Sequence, residues 1–530
     1  MFSDLRSLGD STVLETDICI VGAGPAGISM ARTFIGTGMR VILVESGDLE
    51  FNGDVQALYA GESVGLPYFG LEGSRLRYFG GSSNHWDNWC GEFNPIDYRT
   101  RAWVPSSGWP FGPAELAPYY DRARPICGLR PRRSNEEMWA SLGIDPLPFD
   151  GSRLEYHFWE VGNKIRFGEA YRADLREARN IQVLLNANAT ELRTDQAART
   201  VEFVDLRSLD GRQVRVRARF FVLACGGIEN ARLMLDSDRV EPHGLGNRHD
   251  LVGRYFMEHP IDRVGSVTTD DPLRLIDLFR PGWLGEQSYF PSVVLSDSQA
   301  ETEQILNNRF HLMFESDEKT TAALRRFGQT VTSGRVSDKL AEDLWELVQN
   351  ADIMAYNLFR RAVLSRPVVP KPERVSRVFF NCQAEQAPNP DSRIFLSNER
   401  NALGGRLPVL DWRLTELDKR SFYIPAKLLG AELARLGIGL FRIEPWLLEG
   451  ANTWSPNLVG GYHHMGTTRM AEDERQGVVD STCKVHNVDN LYVAGSSVFP
   501  TSGNINPTLT LVALAIRLAD HLKQRSIERV

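Results

Sequence analysis

Short apolar runs that stop at glycine recur along this chain. Residues 17–21, DICIV, form the first, short and β-branched enough to predict a buried strand. Gly22-Ala23-Gly24-Pro25-Ala26-Gly27 follows, and the spacing of ISMARTFIGTG over 28–38 predicts a helix. MRVILVES over 39–46 predicts a second strand that ends on Glu45 and Ser46. Further along, IQVLLNANATEL (181–192) predicts an edge strand pair. RQVRVRARFFVLA (212–224) alternates, turns wholly apolar and runs into Cys225-Gly226-Gly227; LYVAGSSV (491–498) is an apolar strand ending at Gly495-Ser496. Helices are predicted over 415–436 and 337–363, and 372–413 alternates like sheet strands around the turns APNPDS and RNALGG.

Strand, glycine turn, helix, second strand and terminal acid make a βαβ unit with G-x-G-x-x-G at its first turn. Gly22 permits the tight turn, Gly24 lets backbone approach a pyrophosphate, and Gly27 lets helix and strand pack closely. The helix N-terminus, with Pro25 and Ala26 in its first turn, offers free N–H groups and partial positive charge to phosphate. Glu45 stands where a carboxylate accepts hydrogen bonds from ribose hydroxyls. The motif reads as dinucleotide binding, without choosing the dinucleotide.

Composition narrows the class. With 530 residues the chain exceeds what one core usually supports. At 42% hydrophobic and 24% charged it is ordinary for a folded protein. A net charge of −8 argues against a dedicated nucleic-acid binder. Six cysteines are scattered with no C-x-x-C pair, which fits neither a zinc site nor a disulfide scaffold. No metal is expected. MFSDLRSLGDSTVLETD has no apolar h-region, and no apolar run reaches the roughly 18 residues of a membrane span. A cytoplasmic enzyme is the expectation, with export beside a signal-bearing partner left open.

Nucleotide-binding segments spread over the whole chain, and no second strand–GxGxxG–helix unit follows. Both features favour FAD over NAD, with electrons arriving from the substrate. Four stretches carry a family likeness: DICIVGAGPAGISMA, YFGGSSNHW at 78–86, VGRYFMEHP at 252–260, and the C-terminal block from GYHHMGTTRM to LADHL. On these the chain resembles the glucose–methanol–choline oxidoreductases. The resemblance implies an α/β, Rossmann-like FAD-binding domain built from discontinuous segments (1–100, 171–255 and 455–530). A substrate domain of α+β type with an antiparallel sheet (101–170 and 256–454) is implied to cover it.

It also implies site residues. The proton-accepting histidine of the H-x-x-G-T motif falls on His463, with His464 as its competitor. A neutral imidazole suits that task near pH 7. The second catalytic residue falls on Asn506, with Asn504 as the competing turn asparagine. Pro507 and Thr508 open the last helix, whose N-terminus is implied to face the flavin. Asn in place of the commoner His resembles the pyranose oxidase and cholesterol oxidase branches. Gly80, Gly81, Ser83, Asn84 and Trp86 are implied to pack against the cofactor, as are Ala189, Ala224, Cys225, Gly226, Gly495 and Ser496. His85 matches a histidine that related sugar oxidases bond to the flavin methyl group, so it is either bonded to the FAD or packed beside it.

The expected substrate is a small molecule with a hydroxyl group: a sugar, a glycoside or a secondary alcohol. Gln383 and Glu385 are either substrate contacts or hairpin residues. The electron acceptor is oxygen, a quinone or a redox partner protein. A flavin lyase or isomerase on the same scaffold is the alternative chemistry. A non-catalytic subunit would have lost His463, Asn506 or the glycine turn, and none is lost.

Overall fold

The computed structural model describes the chain apart from 163, 285–286, 317–318, 320–322, 324–325, 327–338, 350, 352–354, 356–374, 449–452 and 528–530. Two large sheets organise it. The first runs, in spatial order, Phe2–Asp4, Ile181–Leu185, Val41–Val44, Thr12–Val21, Gln213–Leu223, Val201–Arg207 and Asn188–Thr194, with Leu491–Val493 also pairing to Gln213–Leu223. Its first five strands and Leu491–Val493 pair in parallel; the last two add an antiparallel meander. Thr12–Val21 and Gln213–Leu223 both begin with every second residue exposed and end fully buried. That change marks where a strand covered on one face enters a parallel core covered on both. The apolar ends Ile18–Val21 and Phe220–Leu223 lie side by side and deliver both glycine turns to the same sheet edge.

The second sheet is antiparallel throughout. Its order is Leu440–Ile443, Ile261–Thr268, Val375–Ala384, Asn308–Ser316, Gln287–Leu295, Leu154–Val161 and Trp89–Cys90, with Gly282–Leu284 paired to Gln287–Leu295. One face of this sheet buries Phe380, Cys382, Phe310 and Val293 in a core shared with Phe422, Ala426, Leu429 and Leu433 of the Glu416–Arg435 helix. Strand periodicity then turns Gln383 and His311 to the other face. Thr415 caps that helix in a reciprocal box with Asp418, which fixes its start beside the sheet.

Several elements differ from the sequence reading. The first helix spans Pro25–Thr33, not 28–38, because the chain turns at Gly36, whose φ is +75°. Residues 181–192 hold two strands that do not pair with each other; left-handed Asn186 (φ +54°) redirects the chain between them. The alternating stretch 372–413 divides. Val375–Ala384 joins the second sheet, while Arg393–Arg400 and Arg406–Asp411 form a small third sheet with Glu62–Ser63. Of the helix expected over 337–363, Leu340–Gln349 is present and most of the remainder falls outside the described residues. Among the described residues no helix is long and apolar enough to cross a membrane.

Candidate active site

A cavity of about 690 Å³ opens between the glycine turns and the inner face of the second sheet. That volume lies within the range of small-molecule and cofactor sites. Its first end is backbone. Gly22, Gly24, Pro25 and Ala26 line that end from the first turn, and Glu45 and Ser46 from the second strand; Gly81, Ser83, His85 and Trp86 of a later loop also line the cavity. Ala189, Ala224, Cys225, Gly226, Gly495 and Ser496 line the cavity as well. Gly22 has φ +104°, and a Cβ there would meet the Ala224 carbonyl oxygen at 2.6 Å. A Cβ on Gly24 or Gly226 would meet nothing within 4 Å, so backbone borders open space there.

Three expected contacts do not line the cavity; they shape it from behind. Gly27 lets the helix sit on the turn, since its Cβ would lie 1.9 Å from the Gly22 oxygen. Gly80 donates its N–H to the Ala23 oxygen at 2.9 Å and ties the loop to the turn. Asn84 donates to the Phe79 oxygen at 2.9 Å. Glu45 is buried and accepts from the N–H groups of Ala23 (3.1 Å) and Gly47 (2.9 Å), so it pins the turn with part of its acceptor capacity.

Arg75 and Arg77 escaped the sequence reading. Both are buried, line the cavity and pair with Glu229, which also bonds Arg232. Burial pushes the Glu229 carboxyl up, but Arg232, Arg75 and Arg77 outweigh it and hold it at about 2. Arg75 Nε and Nη1 and Arg77 Nε are buried without a hydrogen-bond partner. Unmatched buried donors are costly unless an acceptor arrives. Beside bare glycine backbone and a helix N-terminus, they suit the anionic middle of a dinucleotide.

At the other end stands a chain of side chains. His463 is half-buried; its Nε2 lies 3.2 Å from Asn506 Nδ2 and its Nδ1 lies 2.8 Å from His259 Nδ1. Gln383 Nε2 donates to Asn506 Oδ1 (3.4 Å) and to the Asn504 carbonyl (3.1 Å). Asn506, Pro507 and Thr508 line the cavity where the Thr508–Ile527 helix begins, so that helix turns its positive end inward. Burial, then His259 and His464, hold the His463 imidazole well below its ordinary value. It is therefore a free base at neutral pH.

The neighbours divide by their bonds. His464 is buried; its Nε2 meets the Tyr68 hydroxyl at 2.9 Å, and Tyr68 in turn donates to Glu258 Oε1. Burial takes the His464 imidazole down to about 3. Glu258 is fully buried and also accepts from the N–H groups of His463, Gly461 and His259, each at 2.9 Å. Burial pushes its carboxyl up to about 7 against those donors. Tyr462, left-handed at φ +60°, lets Gly461 and His463 aim their N–H groups at this one carboxylate. Its ring stacks on Phe69 at 4.2 Å.

Asn504 is wholly buried and braces the fold through Asn307 Oδ1 (2.8 Å) and the Asn308 carbonyl (3.0 Å). Glu385 is consumed by a buried pair with Arg101. Gln383 lines the cavity, as do His311 and Ile261 from the same sheet face. His259 and Glu258 lie within VGRYFMEHP, and the histidine-before-proline of that stretch was the available signal. Nothing local in the sequence marks Tyr68 or His311. Among the described residues no group of three or more His, Cys, Asp or Glu could hold a metal, and all six cysteines are unpaired.

Comparison with known proteins gives a consistent set. Residues 388–515 match the family described as GMC oxidoreductase, and residues 17–252 that described as FAD dependent oxidoreductase. The fructose dehydrogenase large subunit of Gluconobacter japonicus is 24% identical over 588 residues, covering 96% of this chain and 97% of its own. C-glycoside 3-oxidase of Arthrobacter globiformis is 30% identical over 329 residues, covering 61% of this chain and 49% of its own. The crystal structure of pyridoxine 4-oxidase from Mesorbium loti shares the fold, with TM-score 0.58, 17% identity, and coverage of 96% and 99% of the two chains.

Proposed function

Because this chain is an FAD-dependent oxidoreductase of the GMC family, we propose that it oxidises a CH–OH group of a sugar, glycoside or secondary alcohol, with His463 as base and Asn506 as its partner on the substrate oxygen. The observation that carries this reading is the His463 Nε2–Asn506 Nδ2 contact of 3.2 Å, set in the cavity that the glycine turns border. Bound FAD supplies the acceptor for the hydride leaving the substrate carbon.

The chain's own groups do the rest. His463 Nε2 takes the hydroxyl proton. Substrate first displaces the Asn506 Nδ2–H from the single Nε2 lone pair, and the displaced N–H turns to the substrate oxygen, where charge builds as the proton leaves. Gln383 holds Asn506 by its carbonyl, so the amide cannot present oxygen instead. Arg75, Arg77 and the Gly22–Gly27 turn would hold the dinucleotide and Glu45 its ribose, and the Thr508–Ile527 helix start would offer its positive end to the ring. His464, tied to Tyr68, is a structural neighbour of the base.

His85 lines the cavity and stands exposed beside it, free of the buried networks. We assign it a covalent bond to the flavin methyl carbon; forming it would remove one N–H and one methyl C–H hydrogen, with the two electrons passing through the flavin to the same electron acceptor that serves turnover. Precipitating the holoenzyme with acid is expected to leave the yellow colour in the pellet, and His85→Ala to release it. Colour in the supernatant of the unsubstituted protein would remove the bond from the account.

The relatives' names lean toward sugar and glycoside substrates: fructose for one and C-glycosides for another. A cytoplasmic location agrees with six unpaired cysteines, and oxygen, a quinone or a redox protein is the electron acceptor. The test is dye reduction by purified holoenzyme against a panel of sugars, glycosides and secondary alcohols. Dye reduction with at least one class supports the oxidoreductase. Conversion of a substrate with no dye reduced would favour the lyase or isomerase.

A further inference from the structure

His463 does not meet the cavity alone. Behind it lies His259, fully buried, its ring edge-on to that of His463 with centroids 4.9 Å apart. His259 Nε2 faces two backbone carbonyl oxygens, Ser502 at 3.1 Å and Gly503 at 2.9 Å. Carbonyl oxygens only accept, so Nε2 must carry hydrogen. A neutral imidazole has one N–H, so His259 Nδ1 is left with a lone pair. The atom 2.8 Å from that lone pair is His463 Nδ1, which must therefore be the donor. His463 is then left with its own lone pair on Nε2.

The other end of the chain reaches the same answer independently. Gln383 Nε2 is fixed as a donor by the Asn504 carbonyl, and it also donates to Asn506 Oδ1. Asn506 therefore turns Nδ2 toward His463, and Nδ2 can only donate. His463 Nε2 must accept. Both ends terminate in backbone carbonyls, and one arrangement of protons satisfies every link. The opposite His463 tautomer would set two lone pairs against each other at 2.8 Å and two N–H groups against each other at 3.2 Å.

We propose that His259 is a positioning residue that holds His463 in the Nδ1–H tautomer, so that the free nitrogen of the base always faces the substrate. The inference rests on His463 being the base. His259 exchanges no proton with substrate; it orients and selects, and its two carbonyl partners brace the imidazolium that His463 becomes after taking the hydroxyl proton. The backbone supports this use. Glu258 gathers the N–H groups of both His259 and His463 on one carboxylate, so the two rings are registered through a single anchor.

The test is a long-range proton–nitrogen correlation on ¹⁵N-histidine holoenzyme, with the two signals assigned by their loss in His463→Ala and His259→Leu. We expect His463 protonated at Nδ1 and bare at Nε2, with His259 the reverse. In His259→Leu, His463 should lose its single tautomer. Its kcat should fall about ten- to hundredfold while KM changes little, the size of loss seen when the partner that orients a metal-ligating imidazole is removed. His259→Asn, whose Oδ1 can still accept from His463 Nδ1, should recover most of the loss. His463 protonated at Nε2 in the unsubstituted enzyme would overturn the proposal whatever the variants do. So would His259→Leu with unchanged tautomer and kcat. Full turnover by His463→Ala is a separate result; it would remove the base assignment while leaving the tautomer measurement readable.

Discussion

His463→Ala is expected to lower kcat by about a hundred- to ten-thousandfold, the usual worth of a positioned general base, with flavin content unchanged. The ring is half-buried and lines the cavity, while the interaction that anchors the segment is its backbone N–H on Glu258, which alanine keeps. The fold should therefore survive the substitution. Neither histidine in contact with the His463 segment is placed to take over the proton. His464 is bonded to Tyr68 and held at about 3, and His259 is directed at two carbonyl oxygens and held at about 4 by burial. His463 itself should cause no loss of rate from neutral pH down through the ordinary imidazole range, because the folded imidazole gains a proton only as acid reaches its lowered value. A step near pH 7 would belong to Glu258, whose buried carboxyl is held at about 7 behind the base. Turnover of His463→Ala at the parent rate would sink the assignment.

The second large effect separates two glycines of one motif. Gly27→Ala places a methyl 1.9 Å from the Gly22 oxygen, closer than any real contact, so the Pro25–Thr33 helix must lift off the turn. Overpacking of this kind costs about 1–3 kcal/mol or more, and it moves the helix N-terminus away from the phosphate. Both Tm and FAD content should fall. Gly24→Ala is different. Its φ of −82° suits alanine, and its Cβ meets no protein atom within 4 Å. The apoprotein should melt as before, yet bind FAD much more weakly, since the methyl enters the space kept for the dinucleotide. Thermal melts of apoprotein beside flavin content of the purified variants distinguish the two. Normal melting and normal FAD content in Gly27→Ala would contradict the close-packing argument.

The parts legible in the sequence were those set by neighbours in sequence. The strand at 17–21 and the apolar end of 212–224 announce themselves because parallel strands buried on both faces must be wholly apolar. The glycine turns follow from what the first turn of a βαβ unit requires. Convergence across the chain was much less visible. The pairing of Trp89–Cys90 with the second sheet has no local mark, since two residues carry no periodicity. Arg393–Asp411 alternates like any hairpin, and only its parallel partner Glu62–Ser63 assigns it to a sheet of its own. His463 and Asn506 stood out through motif resemblance. His259 did not, because its meaning is a contact with a residue 204 positions away and two carbonyls beyond that. Arg75 and Arg77 look like solvated charges in the sequence; burial against Glu229 makes them part of the cavity.

If this cavity holds FAD and delivers to it the hydride of a hydroxyl-bearing carbon, substrate alone must reduce the flavin. The most direct measurement is anaerobic mixing of purified, flavin-loaded enzyme with sugars, glycosides and secondary alcohols while the visible flavin band is followed. At least one class is expected to bleach the band, deuterium at the reacting carbon to slow the bleaching, and His463→Ala to slow it far more. A protein that takes up no FAD, or a flavin that keeps its band with every alcohol tried, would contradict that role of the cavity.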